Sequence, residues 1–504
     1  MLIPRIGLAT WWPRDPRDLD VRSPFVLALI AVALASAYAV AIVRSGGETL
    51  LLVPLIAAIV VLGVFAHPAI GLYVLFGSAI LFEQFTIAGI VPITQARFFV
   101  NINAYTPIPL RLSVADLLIL LTVASLVVQR LRAKGAPLRV GPFGWAVAAY
   151  FSIFILGTFI GAARGGAWKP DIALNEARAP FQLCVMYFLA ANLVRDRRQL
   201  GIFMWLFVLM VGVKAVQAIL SYLQVMSLPY SLRTIISHED VVFFGVAISL
   251  AVTAAVLGLR TRLAKVLLVL GPLILIAELV AYRRVGFIAL GVALMAFTLL
   301  TLFTNPRRGV VLVAVGSAAL AAYATIFWES VGPVAEPLRA LRTVFDASAT
   351  SLTDQYSNAW RDIEHQNIAH TIRQLPLTGV GVGQRYLFER EPSNIPFPYW
   401  RFITHDALLW LWLKAGPIGA FALWFLVARA LLVLAALYRR LSERWLRWVV
   451  ALPLALVITQ IVFSSVDLGL TYSRTMIVLG AALGLGASIA EQHPRSSTPI
   501  ARPS

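Results

Sequence analysis

The chain has 504 residues, 60% of them hydrophobic and only 13% charged, with a mean hydropathy of +0.83. A soluble globular protein has about 45–50% apolar and about 25% charged residues, so a soluble fold is excluded. The 42 Lys and Arg outnumber the 24 Asp and Glu, a formal charge of +18, but the placement of these cations signals membrane topology rather than a nucleic-acid partner. The single cysteine, Cys184, permits no intrachain disulfide, and no Cys/His cluster has metal-ligand spacing.

From the N-terminus, a polar stretch (Trp11-Trp12-Pro13-Arg14-Asp15-Pro16-Arg17-Asp18) precedes an apolar run from Pro24 that is long enough to stay in the bilayer rather than be cleaved. Continuous apolar runs recur along nearly the whole length. They predict about fourteen helical spans, near 24–43, 49–66, 69–90, 113–129, 143–161, 179–194, 200–224, 241–259, 264–281, 285–303, 309–327, 405–428, 447–466 and 474–490. Backbone polar groups in lipid must be satisfied internally, so the expected fold is an all-α polytopic membrane protein of about 12–14 transmembrane helices. The expected division is 1–327 transmembrane, 328–404 a large, partly helical outer loop, 405–490 transmembrane, and 491–504 a tail.

An inward N-terminus places 23 of the 42 basic residues on the inner side, 10 in short outer segments, 7 in the long loop and two within spans. The positive-inside rule therefore predicts both termini in the cytoplasm. The same count leaves Arg178, Arg233, Arg283, Arg284, Arg474 and His405 at outer helix ends. No other connection between spans matches the 328–404 loop in length, and such loops are usually functional. A helical pattern from about Asn358 to Gln374 makes it a small folded cap.

Several residues stand out against this hydrocarbon-seeking background. Arg283-Arg284 sits at a tight outer turn. Snorkelling to headgroups would explain one arginine there, whereas two suit bidentate phosphate binding. Lys214 lies deep in a span near Gln217. A charge there marks a functional site or a buried pair, with Glu278 and Asp467 as candidate partners. Lys414 reads the same way. His238-Glu239-Asp240 precedes a span, where acids ordinarily complement the helix dipole. The run Pro376-Leu377-Thr378-Gly379-Val380-Gly381-Val382-Gly383 lacks the strand-before, helix-after context of a nucleotide fingerprint. His405 opens an apolar helix at the exit of the long loop. It is either an interfacial helix cap or a base able to take a hydroxyl proton near neutral pH.

Together these segments resemble the O-antigen ligase and polysaccharide polymerase family of bacterial inner membranes. The resemblance covers about 230–430. His405, Leu409, Gly416 and Gly419 match the family's His, Leu at +4, Gly at +11 and Gly at +14. The run 376–383 matches its Pro-Leu-x-Gly-x-Gly-x-Gly, and Arg284 stands in the arginine position of its Ser-Arg-Gly-like turn. Asp406 replaces the usual Asn or Ser, and Lys414 stands where Glu is frequent. The resemblance implies glycan transfer without metal, nucleotide or other cofactor. The donor would be a glycan on undecaprenyl pyrophosphate, and the acceptor a sugar hydroxyl on lipid A core or on another lipid-linked repeat. On that basis His405 is the expected catalytic base. Arg284, Arg283, Arg233 and Arg178 are the expected pyrophosphate ligands, with Lys214, His238 and Asp406 as further candidates. The expected site lies on the periplasmic face, with the bilayer and glycans as partners and no nucleic acid. The competing expectation is a lipid-linked oligosaccharide flippase or another multi-pass transporter, although no internal repeat of the kind such carriers show is visible.

Overall fold

The computed structural model describes residues 40, 44, 52–84, 92, 94–132, 137–226, 235–330, 332–346, 350, 352–393, 395, 397 and 399–494. The chain divides into two units, Met1–Gly63 and Val64–Ser504, and the candidate site lies entirely within the second. Among the described residues the fold is all-α and no strand forms. The helices are α1 (Leu52–Ala66), α2 (Pro68–Leu81), α3 (Val114–Arg132), α4 (Gly144–Arg164), α5 (Pro170–Leu193), α6 (Arg197–Met226), α7 (Asp240–Leu257), α8 (Arg262–Val280), α9 (Arg284–Thr304), α10 (Pro306–Phe327), α11 (Glu336–Phe345), α12 (Leu352–Gln374), α13 (Ala407–Arg440), α14 (Arg444–Ser464) and α15 (Ser473–Gln492).

Ten of these, α3, α4, α6–α10 and α13–α15, are long and apolar enough to cross a membrane. The chain is thus a multi-pass membrane protein. The expected span 24–43 lies outside the described residues apart from Val40. Spans 49–66 and 69–90 correspond to the shorter α1 and α2, of 15 and 14 residues. Span 179–194 forms the second half of α5, whose first half carries Asp171, Glu176 and Arg178. Helix α2 stops at Leu81, nine residues short of the expected span end. The apolar residues that follow hid this helix end, which places Glu83 just past it rather than inside a span.

Inside the bundle, α15 packs against α5 at backbone distance. A Cβ on Gly480 would come within 2.3 Å of the Leu183 carbonyl, the close approach that small residues permit in membranes. By contrast α10 buries only Gly309. The segment between α10 and α13 carries α11 and α12. From Arg385 to Ser393 the chain then runs back along α12. Asn367 accepts from the Glu389 and Arg390 backbone N–H groups (2.8 and 3.0 Å), and Thr371 donates to the Leu387 carbonyl at 3.0 Å. Ile368, Val380, Tyr386 and Leu413 form the small apolar core that joins α12 to α13.

The glycine-rich run has a structural use. Pro417 has no N–H to give its helix, and Gly416 adopts φ +66°, ψ −160°, so α13 breaks there. The carbonyls of Leu413 and Lys414 instead accept from Val380 N (2.8 Å) and Gly381 N (3.0 Å), while Val382 N donates to Gly157 O on α4 at 2.8 Å. Gly381 sits at φ +95°, and a Cβ there would lie 2.3 Å from the Gly161 nitrogen. Below this crossing Lys414 pairs with Glu176 at 2.8 Å and donates to the Gln384 carbonyl at 2.6 Å, both side chains being buried. Glu176 also accepts from Gly383 N at 2.5 Å. The 376–384 run is a strap clamping the start of α13 to α4 and α5.

Candidate active site

Asp406 caps α13, accepting from Leu408 N at 3.1 Å and Leu409 N at 2.9 Å. Its second oxygen lies 3.5 Å from His365 Nε2. Its carboxylate therefore serves the helix end and its immediate neighbour. His405 is left just outside this cap, two residues before the helix. There its backbone N–H donates to both oxygens of Glu364, at 3.1 Å each, and its Nδ1 lies 3.2 Å from Glu364 Oε1. The Glu364 side chain is 1% exposed and that of His405 is 23% exposed. A carboxylate at Nδ1 fixes the ring's orientation and leaves Nε2 for a substrate. Trp360, one turn earlier on α12, meets the imidazole edge-on at 5.0 Å, and Phe397 lies at 6.3 Å. Helix α12 thus supplies both the orienting acid and an aromatic wall.

Arg361 precedes Glu364 by three residues on the same helix and is half-buried. No acid or hydrogen-bond acceptor among the described residues engages it, yet it lies within electrostatic reach of Arg283. Across from α12, the turn between α8 and α9 carries Arg283 and Arg284. Arg284 reaches α12, with Nη2 3.4 Å from Asn358 Oδ1 and 3.5 Å from Asp354 Oδ1. Asp354 also binds Arg339 at 3.1 Å, which ties α11, α12 and α9 together.

The α14–α15 turn brings up Asp467. Its carboxylate accepts from Tyr472 Oη (2.8 Å) and Leu468 N (2.7 Å) and lies 3.1 Å from His238 Nδ1. Burial alone would raise the Asp467 carboxyl, but His238, Arg283 and His405 hold it well below the usual carboxylate range. Two carboxylate-backed imidazoles, His405 and His238, thus lie within electrostatic reach of each other with Arg283 nearby.

Other expected site residues sit elsewhere. Arg178 donates to the Arg111 carbonyl at 2.8 Å and lies 3.4 Å from Asp116, so it braces α5 against the start of α3. Arg233 lies outside the described residues. Lys214 forms a buried pair, but with Glu83 and, at 2.9 Å, Asp240 rather than with Glu278 or Asp467. The early end of α2 places Glu83 within its reach. Arg474 is likewise wholly buried, binding Asp240 at 2.6 Å, Glu239 at 2.9 Å and the Ala79 and Ile80 carbonyls at 2.9 Å each. Glu239 and Asp240 accordingly serve this network and make no side-chain cap for α7. Sequence reasoning missed Glu364, Arg361 and the His238–Asp467 pairing. The available signal was the Arg-x-x-Glu spacing on the loop's helix, which puts both side chains on one face.

The model of the family described as O-antigen ligase matches residues 266–425. The matched stretch contains Arg283, Arg284, Arg361, Glu364 and His405, and it ends just past Gly416 and Gly419. It places the chain among membrane enzymes that transfer glycans. The match supports assigning the chain to the O-antigen ligase and polymerase family. No curated protein matches it.

Proposed function

We propose that this protein moves a glycan from undecaprenyl pyrophosphate to a sugar hydroxyl during cell-surface polysaccharide assembly. The site would face the periplasm, with both termini in the cytoplasm. The observation that carries this reading is His405 Nδ1 held by buried Glu364, with Nε2 left over, while Arg361, one turn from Glu364 on α12, has no acid partner among the described residues and lies within electrostatic reach of Arg283. In the reaction the acceptor oxygen bonds to the donor's anomeric carbon as the bond from that carbon to the phosphate oxygen breaks. His405 Nε2 takes the hydroxyl proton, and the lipid-linked diphosphate leaves with the bonding pair. Arg361, Arg283 and Arg284 neutralise the leaving group. Guanidiniums already in place stabilise that charge as it develops, without reorganisation at the moment of reaction. Arg284 gives up its long contacts to Asp354 and Asn358 for the phosphate and so links donor arrival to the position of α12.

The test is consumption of a polyprenyl-diphosphate-linked oligosaccharide by purified protein in detergent micelles, with a glycan acceptor present. Micelles have no second compartment. Transfer there supports an enzyme, and an inert protein that moves the same lipid across vesicles overturns the assignment in favour of a flippase. The acceptor class follows from deletion. Loss of a polymerase leaves single repeats on the acceptor, whereas loss of a ligase leaves full chains on the carrier.

A further inference from the structure

The assigned chemistry uses one imidazole, and the structure builds a second beside it. His238 sits on the turn before α7, and its neighbours are all pinned. Ser237 hydrogen-bonds Glu83, Glu239 binds Arg474, and Asp240 binds both Arg474 and Lys214. Those side chains are buried, whereas that of His238 is 39% exposed. A network of two cations and three acids thus fixes the residues flanking His238, whose ring alone in this turn is partly exposed. Asp467 takes Nδ1, so the remaining lone pair is on Nε2. The surrounding protein and then the Arg283 charge push the ring below its ordinary value, with Asp467 opposing. With Nδ1 directed at Asp467, the neutral ring offers Nε2 as a hydrogen-bond acceptor.

His238 lies within electrostatic reach of both Arg283 and His405. In a transfer where phosphate leaves and a hydroxyl attacks at C1, the substituent on C2 is the polar group adjacent to both events. We propose, resting on the function assigned above, that the His238–Asp467 pair reads the donor sugar, Nε2 accepting a hydrogen bond from the C2 hydroxyl or acetamido N–H. Hydrogen bonds at this position strengthen as positive charge builds on the ring, so they act on rate as well as binding. The preferred donor then carries a hydrogen-bond donor at C2 of the sugar joined to the diphosphate.

The test is a four-way comparison of kcat/KM. Wild type and His238→Phe are each assayed with polyprenyl diphosphate carrying glucose and with its 2-deoxyglucose counterpart. The ratio of ratios cancels the faster intrinsic chemistry of the 2-deoxy sugar. Wild type should favour the 2-hydroxyl donor over the deoxy donor by about tenfold or more relative to the variant. His238→Gln, which keeps an acceptor, should restore part of that preference. Equal losses on both donors, or no loss on either, overturn the proposal and leave His238 a structural residue. Absence of transfer from either donor by wild type instead removes the glycosyltransferase reading itself.

Discussion

His405 is bound to Glu364, 41 residues upstream, through both its backbone N–H and its ring, at 3.1 and 3.2 Å. The cap helix and the second residue before α13 therefore form one unit, and the imidazole cannot turn without breaking the contact to a buried carboxylate. Glu364→Gln removes the charge but keeps the shape. We expect kcat to fall about 10²-fold or more with KM little changed, as when the orienting acid of a catalytic dyad is lost. Steady-state kinetics checks this. A rise confined to KM would show that Glu364 positions the acceptor rather than the base.

Arg361 should be the cation most sensitive to conservative replacement. Arg361→Lys keeps the charge but loses the two-pronged contact to phosphate. Donor affinity is expected to drop about tenfold or more, with Arg361→Ala lower still and less dependent on salt. Titration of a polyprenyl diphosphate at two ionic strengths, followed by intrinsic tryptophan fluorescence, measures both effects.

The Lys414–Glu176 pair beneath the strap is a test of stability rather than chemistry. Removing one partner leaves the other buried and uncompensated, so Lys414→Met or Glu176→Leu alone should cost about 3–5 kcal/mol, and the double variant should recover a large part of that. Melting temperatures of the four detergent-solubilised proteins complete the cycle, and additive losses would count against a coupled pair.

Burial lifts the Glu239 carboxyl to about 7, with Arg474 opposing and Asp240 adding. An unfolded glutamate loses its proton near about 4.3. Between those values the folded chain keeps a proton that the unfolded chain has lost, so stability declines as pH rises from about 4.5 to about 7 and then levels. Glu239→Gln retains an acceptor for Arg474 and removes the titration. Its melting temperature should decline less over that window than that of the wild type, and parallel curves would rule out Glu239 as the source.

The legible parts of this protein are those where polarity contradicts its surroundings. His405, the Arg283–Arg284 turn and Lys214 stand out in an apolar chain, and Gly416-Pro417 marks the α13 break in any helix. Glu364 and Arg361 were not legible because they lie in a segment of nearly balanced charge, where no single acid or base is conspicuous. The partners of Lys214 were misassigned for a different reason. The apolar sequence after Leu81 continues past the helix end, which concealed the turn that delivers Glu83. Asp240 and Glu239 looked like dipole complements because a buried arginine 235 residues away from Glu239 leaves no local trace. Contacts between distant helix ends are set by packing, and periodicity does not encode them.

The central claim is that His405 takes the proton of the attacking hydroxyl. The direct measurement is turnover of a polyprenyl-diphosphate-linked glycan onto its acceptor by purified, reconstituted His405→Ala beside the wild type, with folding checked by elution and melting temperature. The account predicts a loss of about 10²–10⁴-fold with donor binding retained. Near-normal turnover by a well-folded variant would contradict it.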